Sequence, residues 1–347
     1  MTVKTRYFAV CSLLVLVVGL GSGLVAYYGA IPTGALASRG GPDELRYIPA
    51  DAAVVAYANV RQVMASELRQ HFRQAAPGQE TGQHELQAQT GINIETDIDH
   101  VVASLEGTSP GGNGPSAGLV LASGTFDEVK IEALMRDHGA QVVQYKDKRI
   151  IVAPTPTPTD LPDSNIPNPE KFSKPTEFAL SFLKPGLVAL GTSTLIRRAI
   201  DLENGGDNVT TNADLMNLVS SLDSGNAWAV GRFDALRGTG KLPDGMSQLP
   251  PIVWFSVTGQ ISDGISAVIR AETTNDEAAK NLRDVVQGFV ALARLQAGSK
   301  PDLQALIQSL QISGSGKTVA LSFSVPGRLV DLMAPVGGQL RNRQAAH

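Results

Sequence analysis

One stretch limits what this chain can be. Tyr7 to Tyr28 reads YFAVCSLLVLVVGLGSGLVAYY, a run of 22 residues without a single Asp, Glu, Lys, Arg or His. A bilayer core of about 30 Å asks for about 20 apolar residues in a helix, because each residue rises about 1.5 Å and lipid offers the backbone no hydrogen bonds. The run is long enough to cross. Lys4 and Arg6 are the only charges ahead of it, and cationic flanks stay on the cytoplasmic side, so the remaining chain is expected outside. Tyr7, Tyr27 and Tyr28 stand where amphipathic rings favour the headgroup level. The alternative is a secreted protein released by signal cleavage, since Ala35-Leu36-Ala37 has the small-x-small form of a cleavage site. Signal cores span about 7 to 15 residues, however, and this one is longer and ends well before that tripeptide. Cys11 enters at the start of the run rather than after it, so it reads as a helix residue and not as a lipidated cysteine.

The composition of the body fits this placement. The chain has 347 residues, enough for one large core or two ordinary ones. Net charge is -4, and setting aside Lys4 and Arg6 leaves the remainder at -6; a nucleic-acid partner would want a basic face instead. Beyond Cys11 there is no cysteine, so the body holds no disulfide, thiolate nucleophile or thiolate metal site.

Hydrophobic periodicity and turn chemistry divide the body into strands and helices. Residues 31–49, rich in Gly, Pro, Ala and Ser, read as a tether. Ala53 to Val60 reads as a strand running into an amphipathic helix, Arg61 to Gln74, and Asp97 to Glu106 and Ala117 to Ala122 read as further strands. Phe126 to His138 carries Val129, Ile131, Leu134 and Met135 at helical spacing, with Gly139 as its stop. Gln141 to Tyr145 and Arg149 to Ala153 form a hairpin through Lys146-Asp147-Lys148, and Glu177 to Leu183 and Leu187 to Gly191 form another around Pro185-Gly186. Pro154 to Pro175 is a proline-rich excursion. A helix over Ser193 to Glu203 and a shorter one over Asn212 to Leu222 follow. Ala227 to Phe233 is then a strand, and Val253 to Ile261 and Ile265 to Ala271 pair through Ser262-Asp263-Gly264. The longest helix of the body, Asp276 to Gln296, places Ala278, Leu282, Val285, Phe289 and Leu292 on one stripe, expected to face a sheet. Gly288 within it implies close approach of a neighbour. Pro301 to Leu310 is a helix, Gln311 to Ser313 and Val319 to Val325 a last hairpin, and Gly327 to Met333 a short helix.

The strand AVVAYANVRQV is echoed by AWAVGRFDALR, and hairpins and helices follow each in similar order, an internal repeat. The expected organisation is a cytoplasmic tip and anchor over 1–30, a tether over 31–49, a first α+β half over 50–206, a second over 207–335, and a disordered tail over 336–347. So many hairpins among helices imply an α+β class, mainly antiparallel sheet with helices on one face.

Motifs that invite chemistry fail on spacing. Gly314-Ser315-Gly316-Lys317-Thr318 resembles the end of a phosphate-binding loop, but such a loop needs a glycine at position 311, which is Gln, and a helix after it, where VALSFSV alternates as a strand. No nucleotide is expected. His71, His84, His100, His138 and His347 show no metal spacing; His84-Glu85 and the group Asp97, Asp99 and His100 come nearest, and read as solvated loop residues. Asn208-Val209-Thr210 has the form of a glycosylation acceptor and reads as a polar turn. Trp228 and Trp254 lie in strands and read as core.

The stretch Tyr47-Ile48-Pro49-Ala50-Asp51-Ala52-Ala53-Val54-Val55-Ala56-Tyr57-Ala58-Asn59-Val60, with the later hairpin, the long helix and the closing VALSFSVP, resembles a group of uncharacterised bacterial proteins, in acidobacteria-like lineages, with an N-terminal membrane anchor and a duplicated α+β ectodomain. The resemblance implies a single-pass protein of the bacterial inner membrane with its body in the periplasm, and implies no catalytic residue, cofactor, metal or ligand. The leading functional expectation is a non-enzymatic interaction or scaffold module of the cell envelope, held to the membrane through Tyr7 to Tyr28 and meeting an envelope protein or lipid. A binding module for a lipid or other apolar small molecule is the first alternative. A hydrolase using scattered carboxylates such as Asp97, Asp99 and Asp127 is the second.

Overall fold

The computed structural model describes residues 41–70, 87–88, 91–106, 118–153, 178–233, 250–297 and 301–327. The expected anchor, the proline-rich excursion, the helix over Gly327 to Met333 and the tail lie outside these residues, save Gly327 itself. No helix among the described residues is long and apolar enough to cross a membrane. The chain is α+β and divides into two compact units, in each of which neighbouring strands pair antiparallel. Among the described residues the first takes 41–61 and everything from 87 to 220, and the second takes 62–70 and everything from 221 onward.

The first unit is a seven-stranded sheet in the order β1-β2-β3-β7-β6-β5-β4, from β1 (Ala52–Ala58), β2 (Ile98–Glu106), β3 (Gly118–Gly124), β4 (Gln141–Tyr145), β5 (Lys148–Val152), β6 (Ala179–Lys184) and β7 (Leu187–Gly191). Turn chemistry sets these hairpins. Lys146 takes a left-handed φ of 51° in the two-residue β4–β5 turn, and Gly186 takes 77° in the β6–β7 turn. After β1 come a short helix α1 (Val60–Met64) and a one-turn helix α2 (Ile94–Asp97) that enters β2. Helix α3 (Glu128–Asp137) starts where Asp127 accepts from the Lys130 amide, and α4 (Ser193–Leu202) where Thr192 accepts from the Leu195 amide. Helix α4 lies on β3, β5, β6 and β7. Its Leu195, Ile196 and Ile200 are almost wholly buried, with Leu183 and Leu187 from the strands.

Four expectations over residues 41–220 need correction. The segment expected as tether up to Pro49 is already core, for Asp43–Tyr47 forms a 3-10 turn whose Leu45 and Tyr47 are 1% exposed and whose neighbour Ile48 is fully enclosed. Val129 is 77% exposed, because α3 meets its neighbours through Ile131. The helix expected over Arg61 to Gln74 breaks after Met64. Ser66 donates its hydroxyl to the Val63 carbonyl and accepts from the Arg69 amide, so it ends one turn and caps the next. Helix α5 (Ala213–Ser220), expected with the second half, closes the first unit.

The second unit is a five-stranded sheet in the order β8-β9-β10-β12-β11, from β8 (Ala227–Arg232), β9 (Ile252–Ile261), β10 (Gly264–Thr273), β11 (Gln311–Ser313) and β12 (Thr318–Pro326). Helix α6 (Asp276–Ala297) packs on β10 and β12, and α7 (Pro301–Ser309) on β12. Asn275 caps α6 by accepting from the Ala278 amide, with Asp276 and Glu277 in the first turn where the helix dipole favours negative charge. Ala279 and Leu282 bury against Val319, joined by Ile252, Ala271, Val286 and Ile312. Strand alternation sends Ala271 and Val319 to the helix-bearing face, and Val268, Arg270, Thr318, Ala320 and Ser322 to the other.

Candidate functional site

Two features of the second unit stand out, a polar concavity and an exposed apolar helix face. The concavity, about 470 Å³, lies on the sheet face away from α6, and Asp223, Arg270, Ser313, Ser315, Thr318 and Ser322 line it around Gly314. Strands β10 and β12 supply Arg270, Thr318 and Ser322, and the turn from β11 to β12 supplies its rim. Arg270 Nη2 donates to Asp223 Oδ2 at 2.6 Å, while its Nη1 is buried without a partner. The glycine-rich sequence that resembles a phosphate loop is this turn. Gly314 and Gly316 hold φ of 103° and 54°, the Thr318 amide donates to the Ser315 carbonyl, and strand β12 follows where a phosphate site would need a helix. A hydroxyl-lined hollow with a compensated Asp–Arg pair suits water or a polar solute. Val268 and Ala320 add apolar surface to its floor.

The apolar face belongs to α6, where it overturns the expected stripe. Ala278 and Leu282 are buried, but Val285, Phe289 and Leu292 are 36%, 61% and 50% exposed, and Leu295 is 80% exposed. The helix carries two adjacent apolar stripes. The sheet takes the one through Ala279, Leu282 and Val286, and the one through Val285, Phe289 and Leu292 faces away. Gly288 lies beside the exposed stripe, and a Cβ built on it would meet nothing within 4 Å, so no neighbour explains the glycine. Gly288→Ala is therefore expected to stabilise the helix by about 0.5–1 kcal/mol, read as a higher urea midpoint with an unchanged slope.

The carboxylates weighed for hydrolysis do not converge. Asp97 accepts from the Asn93 amide and the Thr96 hydroxyl and so fixes the turn at α2. Asp99 pairs with Arg61 at 2.5 Å, and Asp127 caps α3. His100, on β2, lies 3.2 Å from Glu44 Oε2 through its Nε2 and 5.6 Å, ring to ring, from Tyr57. The contact has the separation of an ion pair but not the alignment of a hydrogen bond. Burial pushes the Glu44 carboxyl up, but His100, a backbone amide and the more distant Lys184 together bring it below the ordinary glutamate range. The Glu44 and His100 side chains are 8% and 23% exposed. His138 closes α3, and His71, His84, Glu85 and His347 lie outside the described residues. Among the described residues, no three His, Cys, Asp or Glu side chains could share a metal ion. Asn208 is 9% exposed, and its side chain accepts from the amide and hydroxyl of Thr210, so the apparent glycosylation acceptor is a buried turn. Trp228 is buried and Trp254 half-buried.

Sequence reasoning missed both features of the second unit. The Asp223–Arg270 pair joins residues 47 apart with no local pattern between them. The exposed stripe was visible as apolar residues, but its facing was not.

No protein-family model and no curated protein matches the chain. The solved structure of crystal form I of TP0453 is similar over 85% of this chain and 98% of that one, at 9% identity and a TM-score of 0.45. A likeness at that level carries no argument about fold or function.

Proposed function

We propose that this chain is a membrane-anchored interaction module of the bacterial cell envelope, its body outside the cytoplasm, acting by contact through the exposed stripe of α6. One observation carries the reading: four large apolar side chains, Val285, Phe289, Leu292 and Leu295, stand exposed along one helix. Soluble proteins rarely leave such side chains contiguous unless something covers them. The apolar run Tyr7 to Tyr28 supplies the anchor, as in the anchored bacterial proteins that the sequence resembles. The engagement of Asp97, Asp99 and Asp127 in turns, an ion pair and a cap supports contact over hydrolysis.

The test places a photoactivatable side chain at position 289 of the full chain in intact cells, with position 287, on the polar side of α6, as the reference. Adducts from 289 well above those from 287 are expected. Equal yields at the two positions would remove the stripe as a working surface. An alkaline phosphatase fused after His347 is expected to be active, and an inactive fusion would place the body in the cytosol.

A further inference from the structure

We propose that the exposed stripe of α6 rests in the headgroup layer of the bilayer that holds the anchor, with the second half of the helix lying along the membrane surface. The inference rests on the reading of the stripe as the working face and names what that face meets. Three observations favour a lipid surface.

The first is shape and area. Val285, Phe289, Leu292 and Leu295 project from the outer side of one helix, and Gly288 beside them has open space around it. Such a ridge offers on the order of 400 Å² of apolar surface, about half of the roughly 800 Å² per partner that a stable dimer uses. An interfacial helix needs only to sink about 5–10 Å into the headgroup and acyl boundary, which a ridge of four side chains can do.

The second is charge. Asp276, Glu277 and Asp284 all lie in the first half of α6. From Val285 to Ala297 the sole charged residue is Arg294. The half that bears the stripe therefore has no carboxylate to repel phosphate headgroups or to resist partial desolvation.

The third is reach. The expected anchor ends at Tyr28 and Leu45 is already buried in the first unit, which leaves 16 intervening residues. Fully extended they span at most about 55 Å. A body on so short a leash spends its time at a bilayer surface, so even a weak interfacial contact is populated.

The experiment uses the full chain with Cys11→Ser, so that Phe289→Cys or Gln287→Cys provides a single labelling site. Each labelled protein is reconstituted into phosphatidylcholine–phosphatidylglycerol vesicles, with and without acyl-chain bromination, and an environment-sensitive fluorophore is read at each position. Quenching by brominated lipid at least about twofold greater at 289 than at 287, with a blue-shifted emission, is expected. Adding Leu292→Asp and Leu295→Asp should abolish that difference while leaving the thermal midpoint unchanged, because both side chains are already exposed. Equal quenching at the two positions overturns the lipid proposal, as does protection of 289 that rises with protein concentration, the sign of a second copy. If 289 gives protein adducts in cells but no lipid quenching in vesicles, the interaction reading survives and the lipid occupant falls. If it gives neither, both fall.

Discussion

His100→Ala is expected to remove about 3 kcal/mol of folding stability, and the double variant Glu44→Leu/His100→Leu to restore most of that loss. The Glu44 side chain is 8% exposed and lies 3.2 Å from the imidazole. Removing the histidine leaves a carboxylate enclosed beside Leu45 and Tyr47, both 1% exposed, with one fewer group to compensate it. Taking out both polar groups removes the desolvation cost together with the attraction, which is why the pair should be worth less than either single deletion implies. Urea titration of the wild type, Glu44→Leu, His100→Leu and Glu44→Leu/His100→Leu measures the coupling. Glu44 also gives acid stability a sign. Its folded-state pKa lies below its unfolded value, so its contribution is complete above the ordinary glutamate range, about 4.3, and is lost as pH falls through the folded value. Between pH 7 and pH 3 the wild type should lose more stability than Glu44→Gln. An equal loss would show that the carboxyl is not held down by its neighbours.

What the sequence disclosed was local. Ser262-Asp263-Gly264, Pro185-Gly186 and Lys146-Asp147 mark turns because their backbone demands are written in the residues themselves, and the strands on either side pair as those turns require. The starts of α3, α4 and α6 are legible for the same reason, since Asp127, Thr192 and Asn275 satisfy free amides within three residues of themselves. Partnerships across the fold were not legible. Nothing near Glu44 announces His100, and nothing near Asp223 announces Arg270. The turn at Asp43–Tyr47 looked like tether because Asp43, Glu44 and Arg46 give it a polar texture, while Leu45, Tyr47 and Ile48 carry its burial. The hydroxyls of Thr318 and Ser322 pass for an ordinary strand face until β10 sets Arg270 beside them.

Leu282→Ala is expected to cost about 3 kcal/mol, and Phe289→Ala less than about 0.5 kcal/mol, although both residues belong to the stripe that spacing alone assigns to the core. Two stripes compete on α6. One runs through Ala279, Leu282 and Val286, the other through Val285, Phe289 and Leu292, and each recurs at three- and four-residue intervals. Periodicity cannot choose between them. The sheet does, since Val319, Ala271, Ile252 and Ile312 present a face that Ala279 and Leu282 fill at 0% and 4% exposure. Leu282→Ala deletes methyl groups from a packed site and leaves a cavity, whereas Phe289, 61% exposed, loses little that water did not already reach. Seven residues apart, the two side chains lie within about 20° of one another around the axis, so the pair of urea melts reads where along α6 the sheet contact ends. If Phe289→Ala proved the costlier change, the second half of α6 rather than the first would be its packed part. The ridge proposed to meet the membrane would then be core.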